Sequence, residues 1–126
     1  MHRSCLGGIV IDCQTDDLER QARFWGEALG YTTRSDQVAD KNYVGLRTPD
    51  GEPYIEIQRV DHPSRVHLDI KTDNVEAEVR RLEKLGARVV QRIRHWRVME
   101  APSGHRFCVV ELHPGQDCGP LVTWDE

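Results

Sequence analysis

Nowhere in this sequence does an apolar run approach the roughly 20 residues that a membrane span requires. Met1-His2-Arg3-Ser4 is not followed by the long apolar core of a secretory signal either, so a cytoplasmic protein is expected. Basic residues do not gather: Arg80, Arg81, Lys84 and Arg88 are interspersed with acids and the net charge is -4, which leaves no field to collect nucleic acid. The C-x-x-C pairs of zinc ribbons and the density of a disulfide scaffold are missing. Cys5, Cys13, Cys108 and Cys118 are widely scattered, and reduced thiols are expected. The chain has no G-x-S-x-G elbow, no P-loop and no G-x-G-x-x-G after a strand; Gly7-Gly8 does not stand between a strand and a helix.

What is present is an echo. Asp17-Leu18 opens a helical pattern that closes at Leu29-Gly30, and Asp73-Asn74-Val75 opens a second that closes at Leu85-Gly86, with equal Asp-to-Gly spacing. Pro49-Asp50-Gly51 precedes the strand-like Tyr54–Gln58, and Pro102-Ser103-Gly104 precedes Phe107–Glu111. Two copies suit a duplicated βαβββ unit better than a solenoid, which needs at least three repeats to bury its core. A single α+β domain over residues 1–126 is expected, its 38% hydrophobic and 30% charged composition being ordinary for a globular chain. The modules are residues 6–60 and 65–112, followed by a polar tail, 113–126, that is mobile or packs on a neighbouring subunit.

In the first module a strand over Leu6–Cys13 leads to a helix capped by Thr15 or Asp16 and ended by Gly30. Leu18, Ala22, Trp25 and Leu29 form its apolar stripe, with Phe24 and Trp25 assigned to the core. Strands follow at Tyr31–Ser35, Tyr43–Thr48 and Tyr54–Val60. The second module repeats the plan: a strand at Arg65–Thr72, an Asp73/Glu76 capping box, a helix carrying Val75, Val79, Leu82 and Leu85, then strands at Arg88–Arg92, His95–Ala101 and Arg106–Leu112.

Strand alternation then selects side chains. Val66, Leu68 and Ile70 share a face that should meet the helices, while His67 and Asp69 share the other. Ile55 and Ile57 turn toward the helices, with Tyr54, Glu56 and Gln58 opposite. Asp12 falls on the polar side of its strand by parity with Gly8 and Val10. A buried polar group without a partner costs about 1–3 kcal/mol, so two polar sheet faces are most economically joined around a ligand-binding cleft.

The doubled plan, Phe24-Trp25 through Ala28-Leu29-Gly30-Tyr31, His67-Leu68-Asp69-Ile70 before Asp73, and Pro102 through Val109 resemble the vicinal oxygen chelate superfamily, specifically its small glyoxalase-like branch. The similarity runs over residues 6–112. It implies two tandem βαβββ modules whose curved mixed sheets form a cup, and pairing as a homodimer. The superfamily includes lactoylglutathione lyases, extradiol dioxygenases, epimerases, fosfomycin-destroying thiol transferases and bleomycin-binding proteins without catalysis, so the resemblance fixes a cup and not its chemistry.

In metal-using members each module supplies one ligand from its first strand and one from its last. By that resemblance His67 and Glu56 match two ligand positions for a divalent metal such as Zn, Ni, Mn or Fe. The first-strand position of the first module falls near Gly8 or Ile9, and the last-strand position of the second falls on Cys108. The four-ligand pattern is therefore broken at two places. A small polar molecule bound in the cleft is the resulting expectation. Glu56 and His67 are the candidate catalytic pair, and Asp12, Gln58, Asp69, Trp96 and Cys108 the candidate ligand-binding residues. A metal-dependent lyase or dioxygenase acting on vicinal oxygens, and a metal-free lyase or isomerase using Glu56 or His67 as base, are the alternatives; the second requires a shifted pKa. Each residue also has a plain structural role open to it: His67 bonded to Glu56 or Asp69, Glu56 solvated at a cavity mouth, Cys108 a small buried filler, Trp96 packed beneath a helix.

Overall fold

The computed structural model describes residues 1–34, 42–113 and 118–125. The described strands are β1 His2–Gln14, β2 Tyr43–Leu46, β3 Tyr54–Val60, β4 Arg65–Thr72, β5 Arg88–Ile93, β6 Trp96–Glu100, β7 Arg106–Glu111 and β8 Val122–Trp124. Helix α1 spans Leu18–Leu29 and α2 spans Val75–Lys84. All the strands join one sheet in the order β2-β3-β1-β4-β7-β6-β5, with β8 added beside the start of β1. The two modules meet where β1 and β4 pair antiparallel, and each module's last strand runs parallel to its first, β3 beside β1 and β7 beside β4. The cup is thus built within one chain.

Each helix covers its own module. In α1, Leu18 and Ala22 pack with Cys13, Leu46 and Ile57; in α2, Val79 and Leu82 pack with Met99 and Val109. Asp17, not Thr15 or Asp16, caps α1 by accepting from the Arg20 N–H, while the Thr15 hydroxyl accepts from the Asp17 N–H. Asn74 rather than Asp73 caps α2, because Asp73 is engaged by the backbone and guanidinium of Arg3. Phe24 is 59% exposed instead of in the core: it lies two residues beyond Ala22 on the helix, turned away from the buried stripe, and meets Trp25 edge-on.

Other expectations also change. The strand expected over Tyr31–Ser35 is, in its described part, a single bridge between Thr33 and Leu46; Ser35 lies outside the described residues. Val66 and Leu68 do not meet a helix and are 56% and 46% exposed. Helix α1 contacts β2 and β3, and α2 contacts β5, β6, β7 and β1, while neither core cluster beneath a helix includes Val66 or Leu68. Ile70, the third residue of that face, does pack against the second core.

The tail folds back on its own chain. His2, Arg3 and Ser4 pair with Trp124, Thr123 and Val122, and Cys118 is disulfide-bonded to Cys5 across a Cα separation of 6.2 Å, which corrects the expectation of four reduced thiols. A sequence separation of 113 residues concealed the pairing. Beneath β8, the Glu78 carboxylate is fully buried, contacts His2 Nε2 at 2.8 Å and accepts two hydrogen bonds from Arg81, whose guanidinium lies 3.8 Å from the centre of the Trp124 ring. Residues 114–117 and 126 lie outside the described part of the tail.

Candidate functional site

Alternation along β1, β3 and β4 turns one polar set into the concave side of the sheet. Asp12, Glu56, Gln58, His67, Asp69, Trp96 and Cys108 all line one cavity of about 740 Å³, within the usual size of small-molecule sites. Both modules contribute to it.

His67 is its most constrained side chain. Its Nδ1 lies 2.7 Å from Asp12 Oδ2, and its Nε2 lies 3.4 Å from Asp69 Oδ1. Burial alone would pull the imidazole pKa down. Hydrogen bonds to Asp12, Asp69 and Cys108, together with the Asp12 charge, prevail and push it up to about 11. His67 is therefore an imidazolium at neutral pH, held from both sides. Asp12 is 1% exposed; its second oxygen, Oδ1, has no hydrogen-bond partner, and the Arg65 guanidinium stands 3.9 Å from Oδ2. The second oxygen of Asp69 accepts from the Tyr54 hydroxyl. Burial, followed by the Asp69 charge, raises the Tyr54 pKa well beyond the ordinary phenol range.

Glu56 behaves differently. Burial and the Asp69 charge raise its carboxyl pKa to about 7 against the opposing pull of Lys71, His67 and Arg34. The β1 residue paired with both Glu56 and His67 is Val10, whose side chain cannot ligate a metal. Gln58 donates to the Tyr43 hydroxyl at 2.8 Å, and Trp96 at the start of β6 forms part of the cavity wall rather than packing beneath a helix.

The metal-ligating atoms that converge are those of His67, Asp69 and Cys108, all within 4.8 Å of one another; Glu56 is not among them. The expected His67–Glu56 pair is thus not the convergent set. The three donor types do suit a divalent ion, and the Asp12 carboxylate at His67 Nδ1 would orient the ring for ligation through its other nitrogen. Zinc sites of this kind are completed by water or substrate.

Several lining residues escaped the sequence reading. Lys71 continues the His67, Asp69 alternation and so had a signal; its ammonium lies 5.0 Å from the centre of the Tyr54 ring. Arg106 sits two residues before Cys108 on the same strand and also lines the cavity. Gly7 and Gly8 had a role that no motif announced. A Cβ on Gly8 would fall 2.2 Å from the Tyr54 ring and one on Gly7 2.5 Å from Lys71 Cγ, so both side chains occupy space that only glycine leaves open.

Known proteins share this architecture. The chain overlays methylmalonyl-CoA epimerase from Mycobacterium tuberculosis with a TM-score of 0.63 at 17% identity, covering 87% of this chain and 89% of that one. It overlays the Mn(II)-bound glyoxalase from Novosphingobium aromaticivorans with a TM-score of 0.63 at 15% identity, over 94% of this chain and 42% of the other. For 2,2',3-trihydroxybiphenyl 1,2-dioxygenase from Sphingomonas wittichii the values are 0.57 and 18%, over 94% and 43%. The chain spans less than half the length of the last two. At such identities the likeness is one of fold. No curated protein sequence matches the chain. The family model of the glyoxalase-like domain matches residues 8–110, and with the doubled modules and shared cup this chain belongs to that family, within the vicinal oxygen chelate superfamily.

Proposed function

We propose that the cup binds a small polar molecule and moves a proton on it, with Glu56 as the base and the His67 imidazolium and Lys71 ammonium offsetting the negative charge that develops nearby. The observation that carries this reading is the placement of Glu56 in the cavity wall, buried enough to hold its carboxyl near neutrality while His67 and Lys71 line the same space. A base whose pKa lies near the working pH combines availability with driving force. The general reaction is removal of a proton beside a carbonyl, giving an enolate whose oxygen the cations steady. The fold relative named as an epimerase adds support.

Candidate carbon acids, each a 2-oxo acid or an acyl thioester, are incubated with the protein in heavy water and followed by proton NMR. Wild type should exchange a carbon-bound proton for deuterium, and Glu56→Gln should be at least about 100-fold slower. Exchange that survives the substitution overturns the reading. Tight binding without exchange favours a sequestering protein, as in bleomycin-resistance relatives.

A second reading rests on the convergence of His67, Asp69 and Cys108, which would hold a divalent ion of zinc, nickel, manganese or iron. When bound, such an ion would polarise a substrate oxygen as a Lewis acid. Metal analysis of untagged protein, compared with His67→Ala, tests it. The partners implied are a small-molecule ligand and a second copy of the chain, seated on the exposed apolar face of Val66 and Leu68, with no nucleic acid or membrane. A cytoplasmic location completes the reading and predicts that the Cys5–Cys118 bridge is open there.

A further inference from the structure

The side chains that alternation turns into the cup differ from one edge of the sheet to the other. From β3 come Tyr54, Glu56 and Gln58, all polar; from β5 and β6 come Ile93, Trp96 and Val98, with Gln91 the polar exception, and Val110 joins them from β7. Three strands, β1, β4 and β7, separate β3 from β6, yet one cavity touches both, so the sheet curves until its polar and apolar walls share one space. Trp96 is firmly held on the apolar wall. It pairs with Ile93 across the two-residue turn Arg94-His95, where Arg94 takes a positive φ of 44°, as primed hairpin turns do at their first central residue. The Trp96 carbonyl also accepts from Arg97 Nη1 at 3.1 Å. The indole itself is only partly buried and lines the cavity. A flat side chain fixed at the base of a tight hairpin loses little freedom when a ligand meets it. Size adds a second constraint. A cavity of about 740 Å³ suits a drug-sized ligand, and a three-carbon acid held at Glu56 would leave most of that space, the Trp96 wall included, to water.

We infer that the cup selects carbon acids that carry an aryl arm, with the ring seated on Trp96 and flanked by Ile93, Val98 and Val110 while the head group stays at Glu56. Trp96 is the specificity-determining residue. The aliphatic side chains take the arm out of water whatever its shape, and the indole adds a preference for a flat aromatic ring over a saturated one of equal size, because two aromatic rings stack offset. The arm lies away from the reacting carbon, so its binding serves to hold the head group in place against the base. This inference deepens the proposed reaction and rests on the cup being its site.

Isothermal titration calorimetry of the whole protein compares phenylpyruvate, cyclohexylpyruvate and pyruvate, which share a 2-oxo acid head and differ in the arm. Phenylpyruvate should bind at least about 10-fold more tightly than pyruvate, since a single methylene in an apolar pocket already gives about that much. Cyclohexylpyruvate should bind at least about 3-fold more weakly than phenylpyruvate, which is the share that stacking contributes. Trp96→Ala should weaken phenylpyruvate at least about 5-fold and erase its advantage over cyclohexylpyruvate, whereas Trp96→Phe should keep that advantage. A wild-type protein that binds phenylpyruvate no better than pyruvate, no better than cyclohexylpyruvate, or binds none of the three overturns the inference without reference to any variant. A preference unchanged in Trp96→Ala overturns it as well. Calorimetry needs no turnover, so aryl preference without proton exchange removes Glu56 as the base and leaves the aryl subsite standing, while exchange without the preference removes the subsite alone.

Discussion

Replacing Asp12 with asparagine keeps the shape of the His67 contact and removes its charge. The His67 Nδ1 to Asp12 Oδ2 distance is 2.7 Å, and spreading both charges over their groups puts the centres at about 4 Å, which at an effective dielectric near 20 is worth about 4 kcal/mol. That corresponds to roughly three pH units. His67, at about 11 in the wild type, should therefore titrate near 8 in Asp12→Asn. Proton–carbon NMR of the imidazole Cε1–H between about pH 5 and 11 reads this directly, with His67→Gln assigning the signal among the six histidines. Stability must follow the same sign. A histidine whose folded pKa lies above its unfolded value contributes fully below the unfolded value, about 6.5, and loses that contribution as pH rises toward the folded one. The variant should consequently be less stable by about 4 kcal/mol between about pH 5 and 8, with the gap closing between about 8 and 11 as the histidine loses its proton and closing again in acid once the carboxylate is protonated. A wild-type His67 that titrates at or below 7, or a deficit that widens with pH, refutes the reasoning.

Glu56→Gln should be more stable than wild type above neutrality, by up to about 3 kcal/mol, because a carboxyl raised to about 7 weakens the fold as pH rises from its unfolded value through 7; urea midpoints at about pH 5 and 8 check this. Gly8→Ala should displace the Tyr54 ring, break its bond to Asp69 and cost about 2–4 kcal/mol in denaturant titration, with loss of ligand binding. Glu78→Ala leaves His2 and Arg81 facing an emptied buried site and should cost about 3–5 kcal/mol, read as a melting temperature lower by 10 °C or more.

The legible part of the structure was the part written in a short period. Two-residue alternation in Arg65–Thr72 placed His67 and Asp69 in the cup, and the same rule on β3 placed Glu56 and Gln58 there. Strand boundaries for β3 and β4 agree residue for residue with those expected. Alternation says which side a residue faces but not what covers that side, so Val66 and Leu68 were assigned to helices whose core clusters leave them out. Caps were misplaced by one or two residues because Thr15, Asp16, Asp17, Asp73 and Asn74 are all competent, and distant contacts such as Arg3 with Asp73 decide among them. Phe24 was drawn into the core by its apolarity against its position on the helix. The convergence of Asp69 and Cys108 on His67 depends on the pairing of β4 with β7, and no local pattern encodes a register across that distance. Strand β8 and its bridge are hidden for the same reason.

The bridge between Cys5 and Cys118 makes most of the chain a closed ring. Both modules lie inside it, and the antiparallel junction of β1 with β4 spans its middle. A ring that encloses the whole functional cup cannot expand freely when the fold is lost, and closing a loop of 113 residues removes entropy from the unfolded chain equivalent to about 4–5 kcal/mol. With the ring shut, opening one module still leaves its outer end tethered to the other. With the ring cut, β8 is held by its pairing with His2, Arg3 and Ser4, by the Trp124 contacts and by the Gly119 N–H bond to the Leu6 carbonyl. The redox state of the surroundings, acting far from Glu56 and His67, thereby sets how much unfolding pressure the cup can withstand.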